Sequence, residues 1–96
     1  MNFLGDKLRK LREDKGLLLR QVAAHLEVDT AFISKLERGE RKAQREQVLK
    51  LAEFLNANST QLIELWLTDK IAEIVKNENN KEKLLNSITN NIKNNI

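Results

Sequence analysis

Ninety-six residues can hold one modest hydrophobic core, and a chain with no proline, no cysteine and three glycines reads as all-helical. The missing cysteines exclude disulfides, a thiolate metal site and a cysteine nucleophile. The net charge of +3 is unevenly placed, with eleven Lys and Arg against seven Asp and Glu in residues 1–45 and six against seven in residues 46–96.

Such a basic half suits an acidic partner, a nucleic-acid backbone above all, or is simply a solvated mixed-charge surface. The longest apolar runs, such as Leu17-Leu18-Leu19, fall far short of the ~20 residues that cross a bilayer. The first residues lack a secretory pattern, so the expected setting is the cytoplasm.

In chain order, residues 3–15 place Leu4, Leu8 and Leu11 at helical spacing, and Gly16 is a natural stop. Residues 18–26 put Leu19, Val22, Ala23 and Leu26 on one face of a second short helix. Asp29 is suited to cap a third, because its carboxylate can accept from free amides of the first turn. That helix runs from about Thr30 to Arg38, with Ile33 and Leu36 inward and Gly39 ending it. Its outward residues are Thr30, Ala31, Ser34 and Lys35, a small and mostly polar face.

After the loop "GERKAQ", residues 45–56 form a fourth helix with Val48, Leu51, Ala52 and Leu55 inward. A fifth starts near Ser59, the expected cap, and reaches about Lys76. A helix of ~18 residues spans about 27 Å, longer than a small core needs. Leu62, Leu65, Trp66 and Asp69 lie on one side, and Ile63, Leu67, Ile71, Ile74 and Val75 largely on another. One face can pack on the domain. The other needs a cover, either the same helix of a second chain or the C-terminal tail folded back. The expected dimer contacts are Leu62, Leu65, Trp66, Ile71, Ile74 and Val75. The tail, 77–96, has eight asparagines, poor helix formers, yet Leu84, Leu85, Ile88, Ile92 and Ile96 recur at about four residues. It is either a marginal helix or a frayed end.

Two short helices joined by a tight turn make a helix-turn-helix candidate. The residues sharpen it. "LREDKG" at 11–16, "VAAHL" at 22–26 and "VDTAFISKLERG" at 28–39 stand as in the Xre family, the phage Cro and repressor type, which the chain resembles over residues 4–67. The resemblance implies a five-helix repressor-like domain over residues 1–67. Residues 68–96, the helix extension and Asn-rich tail, are left for dimerisation or partner contact. It also implies that the third helix enters the major groove of duplex DNA.

The chemistry agrees with that role. The major groove is ~12 Å wide and admits one helix. Lys35 can donate to guanine O6 and N7, Thr30 and Ser34 can bond several base edges, and the Ala31 methyl can meet a thymine methyl. Backbone clamps are expected at Arg20, Arg38, Arg41, Lys42 and Arg45, with Arg38 at a phosphate-contacting place of the family. Phe32 either braces the third helix or touches the DNA backbone, bracing being the primary role. The resemblance further implies an ion pair between Arg12 and Glu37. Burying it carries a desolvation cost, so its role is orientation.

Three positions depart from the family. Leu18 stands where Ser or Thr usually caps the second helix, Leu19 where Gln usually touches a phosphate, and Glu27 where Gly often fills the turn. Glu27 is tolerable if its backbone avoids strongly positive φ.

The expectation is a sequence-specific transcriptional regulator that binds a palindromic operator on double-stranded DNA as a homodimer. A repressor is the simplest form, and restriction-modification controller, phage-type repressor and antitoxin are not distinguished. It would be cytoplasmic and nucleoid-associated, with no membrane, no small-molecule ligand, no metal or other cofactor, and no enzymatic site. The lone His25 lies beside no cluster of ligands. The alternative is a helical protein-interaction module whose helix-turn-helix is vestigial.

Overall fold

The computed structural model describes residues 2–96 as six helices: α1 Phe3–Asp14, α2 Leu19–Leu26, α3 Thr30–Glu37, α4 Arg45–Phe54, α5 Ser59–Val75 and α6 Lys81–Asn94. The core forms where α1 to α5 turn their apolar stripes inward, with Val22, Ile33, Val48, Leu51, Leu55 and Leu62 almost wholly enclosed. α3 packs on α1 and α2, and α5 packs on α1 and α4. α1 to α4 follow the apolar spacing of the sequence, the fourth ending at Phe54 with Leu55 as its cap. None of the described helices is long and apolar enough to cross a membrane.

The helix ends depart from expectation at Asp29 and Ser59. Asp29 is the N-cap residue of α3, but its side chain makes no capping bond; its backbone carbonyl accepts from the Phe32 amide at 3.0 Å instead. α5 is capped by Asn58, one residue before Ser59, through Asn58 Oδ1 accepting from the Gln61 amide at 2.9 Å. At α2 the cap position holds Leu18, which has no acceptor. Gln21 reaches back, and its Oε1 accepts from the Leu18 amide at 2.7 Å.

Glu27 departs further. It sits in the left-handed region, φ 58° and ψ 44°. Closing α2 requires it: the Glu27 amide donates to the Ala24 carbonyl and the Val28 amide to the Ala23 carbonyl, and a left-handed residue is what turns the chain back over those carbonyls. This three-residue turn, Glu27 to Asp29, sets the approach of α2 and α3. Ala23, 2% exposed, brings only a methyl to the buried side of α2.

The tail is a helix. Its Asn80 N-cap residue is left-handed, at φ 55°, a conformation asparagine tolerates. α5 and α6 share a groove lined by Thr68, Ala72, Leu85 and Thr89 among others. α6 buries none of its own residues. The radius of gyration is accordingly 15.2 Å, against ~12 Å for a compact chain of this length.

A left-handed non-glycine residue costs about 1–2 kcal/mol, and glycine returns part of that through its unfolded-state freedom. Glu27→Gly is therefore expected to stabilise the protein by ~0.5–1 kcal/mol, raising the thermal midpoint by roughly 2–8 °C. Thermal unfolding followed by circular dichroism checks this, and a lowered midpoint would contradict the strain assigned to the turn.

Candidate nucleic-acid interface

α3 has eight residues, too few to hold helical form unaided. Its inner face holds it. Ile33 is 2% exposed and Leu36 4%, and full burial of such side chains contributes about 1.5–3 kcal/mol each. On the other side Thr30, Ala31 and Lys35 are exposed and Ser34 is half-buried. Among the described residues, none encloses Thr30, Ala31 or Lys35. The result is a rod with a greasy back and a low, polar front.

Phe32 is half-buried against the core, and the Arg41 guanidinium lies 5.2 Å from its ring centroid. Held between the core and Arg41, Phe32 is placed to brace α3, the primary role expected of it.

Glu37 ends α3 and is the one charged residue in the core among the described residues. Arg12 of α1 meets it in a forked geometry, Nε donating to Oε2 at 2.7 Å and Nη2 to Oε1 at 3.0 Å, while Nη1 donates to the Leu17 carbonyl at 2.9 Å. Their side chains are 13% and 7% exposed. The hydrogen bond to Glu37 raises the Arg12 pKa above its usual value, with burial acting the other way.

A second tie reaches the same residue. Asn2 Nδ2 donates to the Glu37 carbonyl at 2.7 Å. α1 passes so close to this carbonyl that a Cβ on Gly5 would lie 2.6 Å from both the Leu36 and the Glu37 oxygens. The start of α1 is in turn held by Asp69 of α5, whose Oδ1 accepts from the Phe3 amide at 2.9 Å and Oδ2 from the Leu4 amide at 3.0 Å. Asn2, Gly5 and Asp69 were not singled out for this role from the sequence. Two signals were available: a glycine inside a helical pattern marks close backbone approach, and Asp69 is an acid in line with an apolar face.

The cations expected as clamps are all exposed, but they are not equivalent. Arg38 Nε pairs with Glu40 Oε2 at 2.7 Å. Arg41 leans over Phe32. Lys42 lies near enough to Glu73 to help hold that carboxyl below its usual range, an effect due first to the hydrogen bond from Lys76. Arg20, Lys35 and Arg45 have no ion-pair partner among the described residues. His25 stacks on Phe54 of α4, ring centroids 4.2 Å apart.

The expected dimer contacts divide. Leu62 is fully enclosed in the chain's own core and Val75 is 6% exposed near the turn into α6, so in the single chain neither offers surface to a partner. Leu65 and Trp66 pack against the core, and Trp66 Nε1 donates to the Ala43 carbonyl at 2.8 Å. Ile71 and Ile74 remain, 46% and 77% exposed, joined by Leu67 at 42%.

Residues 4–66 match the family described as a helix-turn-helix domain. The chain belongs to the Xre-type helix-turn-helix regulators. This helix-turn-helix chain is similar to the restriction-modification controller protein C.AhdI from Aeromonas hydrophila, with 33% identity and a TM-score of 0.59 over 64% of this chain and 92% of that one. It is similar also to the clp gene regulator ClgR from Corynebacterium glutamicum, with 29% identity and a TM-score of 0.60 over 71% of this chain and 88% of that one. A further ClgR structure aligns over 91% of this helix-turn-helix chain and 87% of its own, at 25% identity and a TM-score of 0.62. No curated protein sequence matches.

Removing one partner of a buried ion pair strands the other, at about 3–5 kcal/mol. Glu37→Ala is expected to destabilise the helix-turn-helix by that amount in urea denaturation. A loss below ~1 kcal/mol would show that α3 is fixed by its apolar residues alone.

Proposed function

We propose that the protein is a homodimeric repressor that reads a palindromic DNA operator with α3. As a helix-turn-helix regulator it binds duplex DNA, and the exposed outer face of a rigidly held α3 is the observation that carries the finer reading. A bare helix is ~10–12 Å across with its side chains, and low side chains on its front let it seat in a ~12 Å groove. Thr30, Ala31, Ser34 and Lys35 meet base edges. Arg20, Arg38, Arg41, Lys42 and Arg45 grip phosphates, the three unpaired or ring-bound cations Arg20, Arg41 and Arg45 most strongly. The Glu40 carboxylate beside Arg38 lowers that residue's share.

Two copies meet through Leu67, Ile71 and Ile74 of α5, with α6 alongside, and set two reading helices about one DNA turn, ~34 Å, apart. Occupying a promoter in this way blocks transcription. Restriction-modification control and clp gene regulation are properties of the similar proteins; this chain's own target genes are a separate matter. The setting is the cytoplasm, at the nucleoid. Residues 1–67 act as the DNA-binding unit and 68–96 as the dimer and partner-contact extension.

Enrichment of random duplexes on the purified protein tests the reading, a two-fold symmetric motif being the expected product. On the enriched duplex, Lys35→Ala is expected to relax preference at one base pair per half-site by about 1–3 kcal/mol. Arg41→Ala with Lys42→Ala is expected to weaken binding to all sequences alike and to flatten the salt dependence of the affinity. Equal loss on every duplex for Lys35→Ala, or an unchanged salt slope for the double variant, would contradict the division of labour.

For the dimer, Ile71→Asp with Ile74→Asp is expected to sediment as a monomer with its helical content intact. Sedimentation identical to that of a dimeric wild type would remove this face as the contact.

A further inference from the structure

We infer that Asp69 is a positioning residue for the reading helix, tying the middle of α5 to the last turn of α3 through Asn2; this rests on α3 being the element that reads DNA. The first amides of a helix have no partner within it, nor do the last carbonyls. α1 takes its partners from outside. Its own N-cap residue, Asn2, makes no capping bond. Instead both carboxylate oxygens of Asp69 accept, one from the Phe3 amide at 2.9 Å and one from the Leu4 amide at 3.0 Å. A charged acceptor facing the positive end of a helix makes a bond roughly twice as strong as a neutral one, and two such bonds fix the rotation of the α1 start as well as its distance.

Freed from capping, the Asn2 amide reaches α3, where Nδ2 donates to the Glu37 carbonyl at 2.7 Å. Two glycines leave it this place. A Cβ on Gly39 would stand 2.9 Å from Asn2 Cγ, and one on Gly5 would run into Asn2 Oδ1. Gly39 is also left-handed, at φ +78°. Glu37 is thus held at both ends, its carboxylate by Arg12 and its carbonyl by Asn2, and the Asn2 tie is anchored on α5 by Asp69.

The consequence falls on specificity. Ser34 and Lys35 stand within one helical turn, about 5.4 Å of rise, of Glu37. Bonds to base edges fail once the donor drifts beyond roughly 3.5 Å or off line. Phosphate contacts from arginine and lysine sit on long flexible stems and follow a shifted backbone. A loosened α3 therefore loses base reading before it loses grip.

The test uses the full chain, a duplex enriched from a random pool by the wild type, and a scrambled duplex of equal length. Asp69→Ala is expected to lower the preference for the enriched duplex by roughly three- to thirtyfold, with affinity for the scrambled duplex unchanged. Asn2→Ala is expected to do the same, and the double variant to lose no more than either single one. Asp69→Asn, which keeps one carbonyl oxygen, recovers part of the preference. Asn58→Ala removes an unrelated helix cap and is expected to lower the thermal midpoint with the preference intact.

Without DNA, amide exchange at residues 36–39 is expected to accelerate in Asp69→Ala and Asn2→Ala but not in Asn58→Ala. Additive losses in the double variant, an equal loss of preference in Asn58→Ala, or unchanged exchange at residues 36–39 would overturn the tie. If the wild type enriches no duplex, the reading role of α3 falls, and the exchange measurement still decides whether Asp69 and Asn2 hold its last turn.

Discussion

A carboxylate buried at the end of a short helix has to be matched, and the way Glu37 is matched determines the rest of this structure. Its two oxygens take the forked guanidinium of Arg12, and its carbonyl takes the Asn2 amide. Satisfying all three acceptors requires α1 to cross α3 at one place and one angle. Gly5 lets the two backbones approach at that crossing. A purely apolar contact would stabilise as well, because replacing a buried ion pair by apolar residues is often neutral or favourable. What it would lack is direction. Apolar surfaces slide over one another at little cost, whereas the Arg12 fork loses its bonds within a fraction of an ångström.

Direction is what a reading helix needs. Ile33 and Leu36 bind α3 to the core, Glu37 fixes how it is turned, and Phe32 under Arg41 steadies its flank. Of the remaining residues, Thr30, Ala31 and Lys35 are left exposed and Ser34 half-buried. The cation-rich loop that follows α3 fits the same proposed division. Arg38 is partly offset by Glu40, and Arg41 is steered by the ring beneath it, so positive charge stands beside the exposed face of α3 at defined positions.

Most of the fold was legible in the sequence because it is built on local periodicity. Leu4 and Leu8, Val22 and Leu26, Ile33 and Leu36, Val48 and Leu55 each declare an inward face within one helix. Glycines 16 and 39 declare the stops. The ion pair of Arg12 with Glu37 was legible only through the family pattern, since 25 residues separate the partners and nothing local couples them. Asp69 and its bonds to Phe3 and Leu4, some 65 residues away, lay beyond any local rule. The misread ends have a common cause as well. Asn58 and Ser59 are adjacent good caps, and only the backbone decides which is outside the helix; Glu27 was forced left-handed by the closure of α2 even though its type resists it. On α5, hydropathy alone cannot tell Leu62, spent on the chain's own core, from Ile71 and Ile74, which remain exposed.

The central claim is that the front of α3 meets base edges. Backbone amide shifts of the labelled protein, followed while an enriched duplex is added, test it most directly. The account predicts that the largest changes fall on residues 30–35 and on the loop through Arg45, with α6 scarcely moved. Changes confined to α5 and α6, with residues 30–35 unaffected at saturation, would contradict it.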